Sequence, residues 1–191
     1  MRIAVLACAA LAAGALAGRA NAVGGSYAFR GGTPAEQAQV RAALDASSFD
    51  WSVIPRRVTV VIARGAAPSA TAGTVVLDAS LLDTGRFAWG VVQHEFAHEV
   101  DFFVLDDADR AVLADALGGA AWWPAGPALE HGSLTCERFA TTLAWAYWPS
   151  ADNVMRPESI ADEGGDVAPA TFRALLDGLL AAQQDSPIST R

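Results

Sequence analysis

The chain has no lysine: all 13 of its basic residues are arginine, set against 21 acids, for a formal charge of −8 over 191 residues. No basic cluster breaks that acidic balance, which argues against nucleic acid or an anionic membrane as a partner. Long apolar runs are missing too. The apolar fraction is 52%, but alanine carries much of it. No window reaches the roughly 18 strongly apolar residues of a membrane span. Cysteine is scarce, with only Cys8 and Cys136, and histidine is scarcer for its importance, with His94, His98 and His131 alone.

The first 22 residues read as a secretory signal. Arg2 gives a short basic start, Ile3 to Ala17 an apolar stretch, and Ala20-Asn21-Ala22 a small-x-small cleavage site. Residues 1–22 are therefore expected to be removed, leaving 23–191 as one exported domain with no stable membrane insertion. Removal also takes Arg2 and Arg19, so the charge becomes 11 − 21, or −10. Cys136 is then the lone cysteine, and the fold must rest on its core without a disulfide.

Local signals predict an α+β chain with more helix than sheet. Residues 23–32 look like a loose or edge segment. Thr33-Pro34-Ala35-Glu36 is a capping box with proline at the first helical position, opening a helix to about Ala46. Val58 to Ala63 alternates as a strand does, and Thr74 to Asp78 is a second strand candidate, with a small-residue loop between them. Helices are expected from about Arg86 to Leu105, over 107–117, from Ser133 as cap to about Trp148, and over 169–182.

The chemistry concentrates in QHEFAHEVDFF, residues Gln93 to Phe103. One helical turn separates His94 from His98, so both imidazoles project from one face. Trp89, Val92, Phe96, Val100 and Phe103 fall on the opposite side at about 100° per residue, a face made for packing. Two histidines so placed can converge on one zinc ion at about 2.0–2.1 Å. Glu95, set off the ligand line, can take a proton from a water that zinc acidifies to a pKa of about 7. This is the logic of the H-E-x-x-H motif.

A catalytic zinc site needs a third protein ligand. Glu137, His131 and Asp101 are candidates. Glu137 shares a helical stripe with Ala140, Thr141 and Ala144, small residues that let its helix approach the first. HEFAH followed by E-x-F-A resembles the zincin metallopeptidases of the gluzincin type. The run HEFAHEVDFF with ERFA downstream looks particularly like the metalloprotease domain of the anthrax lethal factor class, over Val91 to Trp148. The resemblance implies a zincin-like fold: a small, mostly antiparallel or mixed sheet, an active-site helix and a C-terminal helical part. It implies His94, His98 and Glu137 as zinc ligands, Glu95 as general base, and an edge strand near the metal helix, at Thr74–Asp78, that binds extended peptide; the residues of that strand suit an ordinary internal strand equally well. The thermolysin-like branch carries an acid where this chain has Thr141, so the partner of a ligand must come from elsewhere, with Asp101 as a candidate. The lethal factor class has a tyrosine where this chain has Glu130, and the neighbouring His131 is read as the oxyanion donor in its place.

Of the other features, Trp122 and Trp123 suit either packing or a cleft wall, Tyr147 the core, and Cys136 a small buried hydrophobe. Asp162 to Asp166 reads as a solvated turn. The expectation is an exported zinc metallopeptidase acting on peptide or protein, its oligomeric state open. The rivals are a catalytically inactive zinc-binding domain of that fold and a metal-free interaction domain.

Overall fold

The computed structural model describes residues 25–123, 131–157 and 167–185. Residues 1–22, read above as a signal, and 162–166, read as a solvated turn, lie outside the described residues.

The described elements run β1 (Tyr27–Gly31), α1 (Pro34–Ala46), β2 (Val58–Ala63), β3 (Ser69–Thr71), β4 (Thr74–Asp78), α2 (Ala79–Leu82), α3 (Trp89–Phe103), α4 (Asp107–Leu117), α5 (Thr135–Tyr147) and α6 (Pro169–Asp185). The capping box forms: the Thr33 hydroxyl accepts from the Glu36 amide at 3.2 Å, and the Glu36 carboxylate accepts from the Thr33 amide at 2.6 Å. Two helix starts differ from expectation. Residues Gly85–Ala88 form a 3-10 turn ahead of α3, and α5 begins at Thr135 with Leu134 as its cap, not Ser133.

The four strands make one mixed sheet in the order β1-β2-β4-β3. The β1–β2 and β2–β4 ladders are parallel, and only β3–β4 is antiparallel. Of the mostly antiparallel and the mixed sheet expected, the mixed one forms. The cause is connectivity: α1 lies in the crossover from β1 to β2, as parallel neighbours require, whereas β3 meets β4 through a tight turn. Gly73 closes that turn at φ 84°, a conformation only glycine takes at low cost. The short strand β3 falls inside the stretch read as a loop. It occupies the sheet edge, so β4, the proposed peptide-binding edge, is an interior strand.

Helix α3 is the centre of the molecule. Its apolar face enters the core as expected, with Val92, Phe96 and Val100 buried and Trp89 and Phe103 packed against them. The Phe96 ring meets Tyr27 and Trp51 edge-on, each at 5.9 Å between centroids. Gln93 reaches sideways and donates to the Ala43 carbonyl at 2.7 Å, tying α1 to α3. Helix α5 packs along α3 through Ala140 and Ala144, both fully buried and too small to hold the helices apart. Tyr147 is core, as expected, and its hydroxyl donates to Asp177 of α6 at 2.6 Å. Among the described residues no helix is long and apolar enough to cross a membrane.

Phe96 is the largest fully buried side chain of α3. Replacing it with alanine should cost about 3–5 kcal/mol of unfolding free energy in denaturant titration. A loss below about 1 kcal/mol would mean the aromatic cluster is not the core of the fold.

Candidate metal centre

Three side chains from two helices converge. His94 Nε2 lies 3.1 Å from Glu137 Oε2, His98 Nε2 lies 3.2 Å from the same oxygen, and the two imidazole nitrogens are 3.3 Å apart. Four tetrahedral ligands at 2.0–2.1 Å from an ion would be about 3.3 Å from one another. The triangle therefore has the dimensions of one face of such a shell. His94 and His98 are buried and Glu137 nearly so. These residues fit a metal ion by donor type and by spacing, and the trio can hold one.

Electrostatics agree with that fit. Burial opposes charge on Glu137, yet hydrogen bonds from His94 and His98 and their positive charge hold its carboxyl well below the usual range. Burial also opposes charge on His98, but its hydrogen bond to Glu137 and the carboxylates of Glu137, Glu95 and Asp101 leave its pKa above the ordinary histidine value. The pocket is organised to hold positive charge.

The orientation of His94 is fixed from behind. Its Nδ1 lies 3.0 Å from the Thr141 hydroxyl, which itself points to the Met155 sulfur at 4.0 Å. The Thr141 hydroxyl thus pairs with Nδ1 from behind and leaves Nε2 turned toward Glu137, the side a ligand nitrogen must present. Asn153 holds Met155 in reach: its amide donates to the carbonyls of Ala144 and Trp148, each at 2.9 Å, and its oxygen accepts from the Met155 amide at 2.9 Å. Gly90 permits this approach, since a Cβ there would sit 2.3 Å from the Asn153 oxygen.

Asp101 stands outside the trio. It is fully buried and accepts from Arg110 Nε at 2.9 Å and from Trp122 Nε1 at 2.9 and 3.0 Å. Instead of partnering an imidazole, it anchors the start of the tryptophan loop. Glu99, also on α3, accepts from the Gly73 amide at 2.8 Å and so fastens the β3–β4 turn to the helix. Cys136 is buried, and burial together with the Glu137 and Asp101 carboxylates pushes its thiol up to about 12, so it stays a protonated neighbour. The residue His131 opens the short turn His131–Ser133, while its side chain lies outside the described residues.

The chain matches no family model, no curated protein and no solved structure. Its chemistry must be read from the site itself. The trio lies at the floor of a cleft of about 150 Å³, which Glu95 lines beside the two imidazoles. Pro68, Ser69 and Ala70 at the start of β3 form one wall, and Phe102 and Trp123 the other.

Sequence reasoning missed Thr141 as the support of His94, although its position was noted for lacking an acid: a hydroxyl does there what a carboxylate does elsewhere. It also missed Glu99, whose only signal was a charge beside Val92 and Phe103 on the packing side of the helix.

Two outcomes test this centre. Thr141→Val keeps the shape but removes the hydroxyl partner of His94 Nδ1, and should weaken metal binding about 10–100-fold in competition with a chelator. The second concerns pH. A raised His98 pKa means that its proton stabilises the metal-free fold fully below the ordinary histidine value, and that this contribution is lost as pH rises through the raised value. Metal must displace that proton. The rise in melting temperature at fixed free zinc should therefore grow from about pH 5.5 to about pH 7.5, and a flat profile in calorimetry would contradict it.

Proposed function

We propose that this chain is an exported zinc metallopeptidase of the gluzincin kind. The observation that carries the reading is the convergence of His94, His98 and Glu137 within 3.3 Å of one another at the floor of an open cleft that Glu95 also lines. A donor set of two imidazoles and one carboxylate, three ligands with an open fourth position, is that of catalytic zinc sites; structural sites are closed by four protein ligands.

Zinc bound there supplies Lewis acidity, polarising a carbonyl oxygen and bringing a water near neutral pKa. The chain's own residues do the rest. Glu95 sits next to His94 in sequence and is buried, so its carboxylate works in a poorly solvated place where proton transfer is efficient. It accepts the proton of the attacking water and returns it to the departing amine. Glu137 and the two histidines hold the charge at the centre constant, and Thr141 keeps His94 in the orientation that the role demands.

The cleft's size supports a chain-like substrate. At about 150 Å³ it is far smaller than the roughly 300–1,000 Å³ pockets that enclose compact ligands. Its rim is a sheet edge: β3 pairs only with β4 among the described residues. An extended peptide can add to such an edge through backbone hydrogen bonds. The peptide-binding role expected for β4 passes to β3. The N-terminal signal pattern supports export.

Glu95→Gln separates catalysis from metal binding. Elemental analysis should find close to one zinc per chain in wild type and in this variant. Cleavage of a peptide library should fall by at least about 10³-fold in the variant, the order expected for loss of a general base with its charge. Zinc near one per chain with no cleavage by wild type would point to the catalytically inactive alternative.

A further inference from the structure

The cleft has two unlike walls. One is the backbone of Pro68 to Ala70. The other is aromatic: Phe102 and Trp123 stack with planes 1° apart and centroids 5.2 Å apart, and Phe102 lies 6.4 Å from the His98 ring. A line of rings thus leads outward from the metal ligands. Trp123 is 38% exposed, one of few large apolar side chains among the described residues left open to solvent. Of these, it is the one that faces the cleft.

That exposure is held in place. The preceding residue, Trp122, donates its indole N–H to both oxygens of Asp101, and Arg110 braces Asp101 through its carboxylate and, at 2.7 Å, its backbone carbonyl. Trp123 is thereby fixed over Phe102, the residue directly after Asp101. An indole clamped with one face covered and the rest open is a preformed apolar platform, with little ordering left to pay on binding.

The charged groups of the cleft point the same way. Among the described residues its ionisable lining consists of His94, Glu95, His98 and Glu137. All four are committed to the ion or to proton transfer. None remains to pair with a charged substrate side chain, and burying one unpaired would be costly.

We propose that Phe102 and Trp123 form a specificity subsite that selects a neutral aromatic or large apolar side chain beside the scissile bond, making apolar peptide segments the substrate class. This rests on the metallopeptidase reading. The test uses binding to the zinc-loaded protein, with two peptide hydroxamates that differ only in a benzyl or a methyl side chain next to the chelating group. Wild type should favour the benzyl compound about tenfold, and Trp123→Ala should bring that ratio to about one or two, while Trp123→Phe keeps most of it. The indole resonance of Trp123, assigned by its loss in the phenylalanine variant, should shift with the benzyl compound and not with the methyl one. This readout serves even if the alanine variant fails to fold. A wild-type ratio near one, an unchanged ratio in Trp123→Ala, or an unmoved indole resonance would overturn the subsite with the metal centre intact. Failure of both hydroxamates to bind at all would instead remove the metallopeptidase reading, and the subsite with it.

Discussion

Two imidazole nitrogens and a carboxylate oxygen meet within 3.3 Å in a buried place. That arrangement is unfavourable without positive charge at its centre. Facing lone pairs repel, and a buried carboxylate loses its hydration. In the metal-free chain protons meet the need, which is why Glu137 is held in its charged form and His98 is made more basic. A divalent ion meets it better, since it can satisfy all three donors at once. The remaining structure serves to keep these three side chains from drifting apart to where water would satisfy each alone.

Helix α3 does this by dividing its surface. Val92, Phe96 and Val100 lock it into the core, so the opposite face has no freedom to rotate. The ligand face then meets α5 across alanines. Small side chains bring Glu137 within reach of both histidines, and large ones would have pushed its carboxylate away. Thr141 and Asn153 add the polar half of that contact, with Asn153 seated against Gly90 where no Cβ intervenes. Apolar packing sets the position of the helices, and hydrogen bonding sets the rotamers of the ligands.

Much of this was legible before any coordinates. The capping box and its proline fixed the start of α1, because those signals act within one turn. Alternation gave β2 and β4, and the 3.6-residue period separated the two faces of α3. Helical spacing put His94 and His98 on one face, while Glu137 stood as one of three candidates for the third ligand and was singled out by the resemblance of its surrounding motif. What stayed hidden was long-range. No local pattern distinguishes a parallel from an antiparallel neighbour, or an edge strand from an interior one, so the choice between the sheet forms and the place of β4 had to come from the fold. Strand β3 has three residues, too few for a period to show. Thr141 could be located on the stripe, but its bond to His94 depends on how two helices cross. Asp101 was placed near the metal line correctly, yet Arg110 and Trp122 claim its oxygens.

The two carboxylates that follow His98 explain why the cleft has a definite width. Glu99 holds the β3–β4 turn through the Gly73 amide, and Asp101 holds Trp122. Each is fully buried, and burial raises the pKa of both, so each depends on its bound donors to remain charged. One wall of the cleft hangs from each. Both attachments sit within one turn of a metal-ligating histidine on the same rigid helix. The walls are therefore referenced to the ion and not to each other. If the proposed peptidase reading holds, a substrate carbonyl entering between the edge strand and the aromatic wall would meet His94, His98 and Glu137 at a set distance, because one helix positions both walls and both imidazoles.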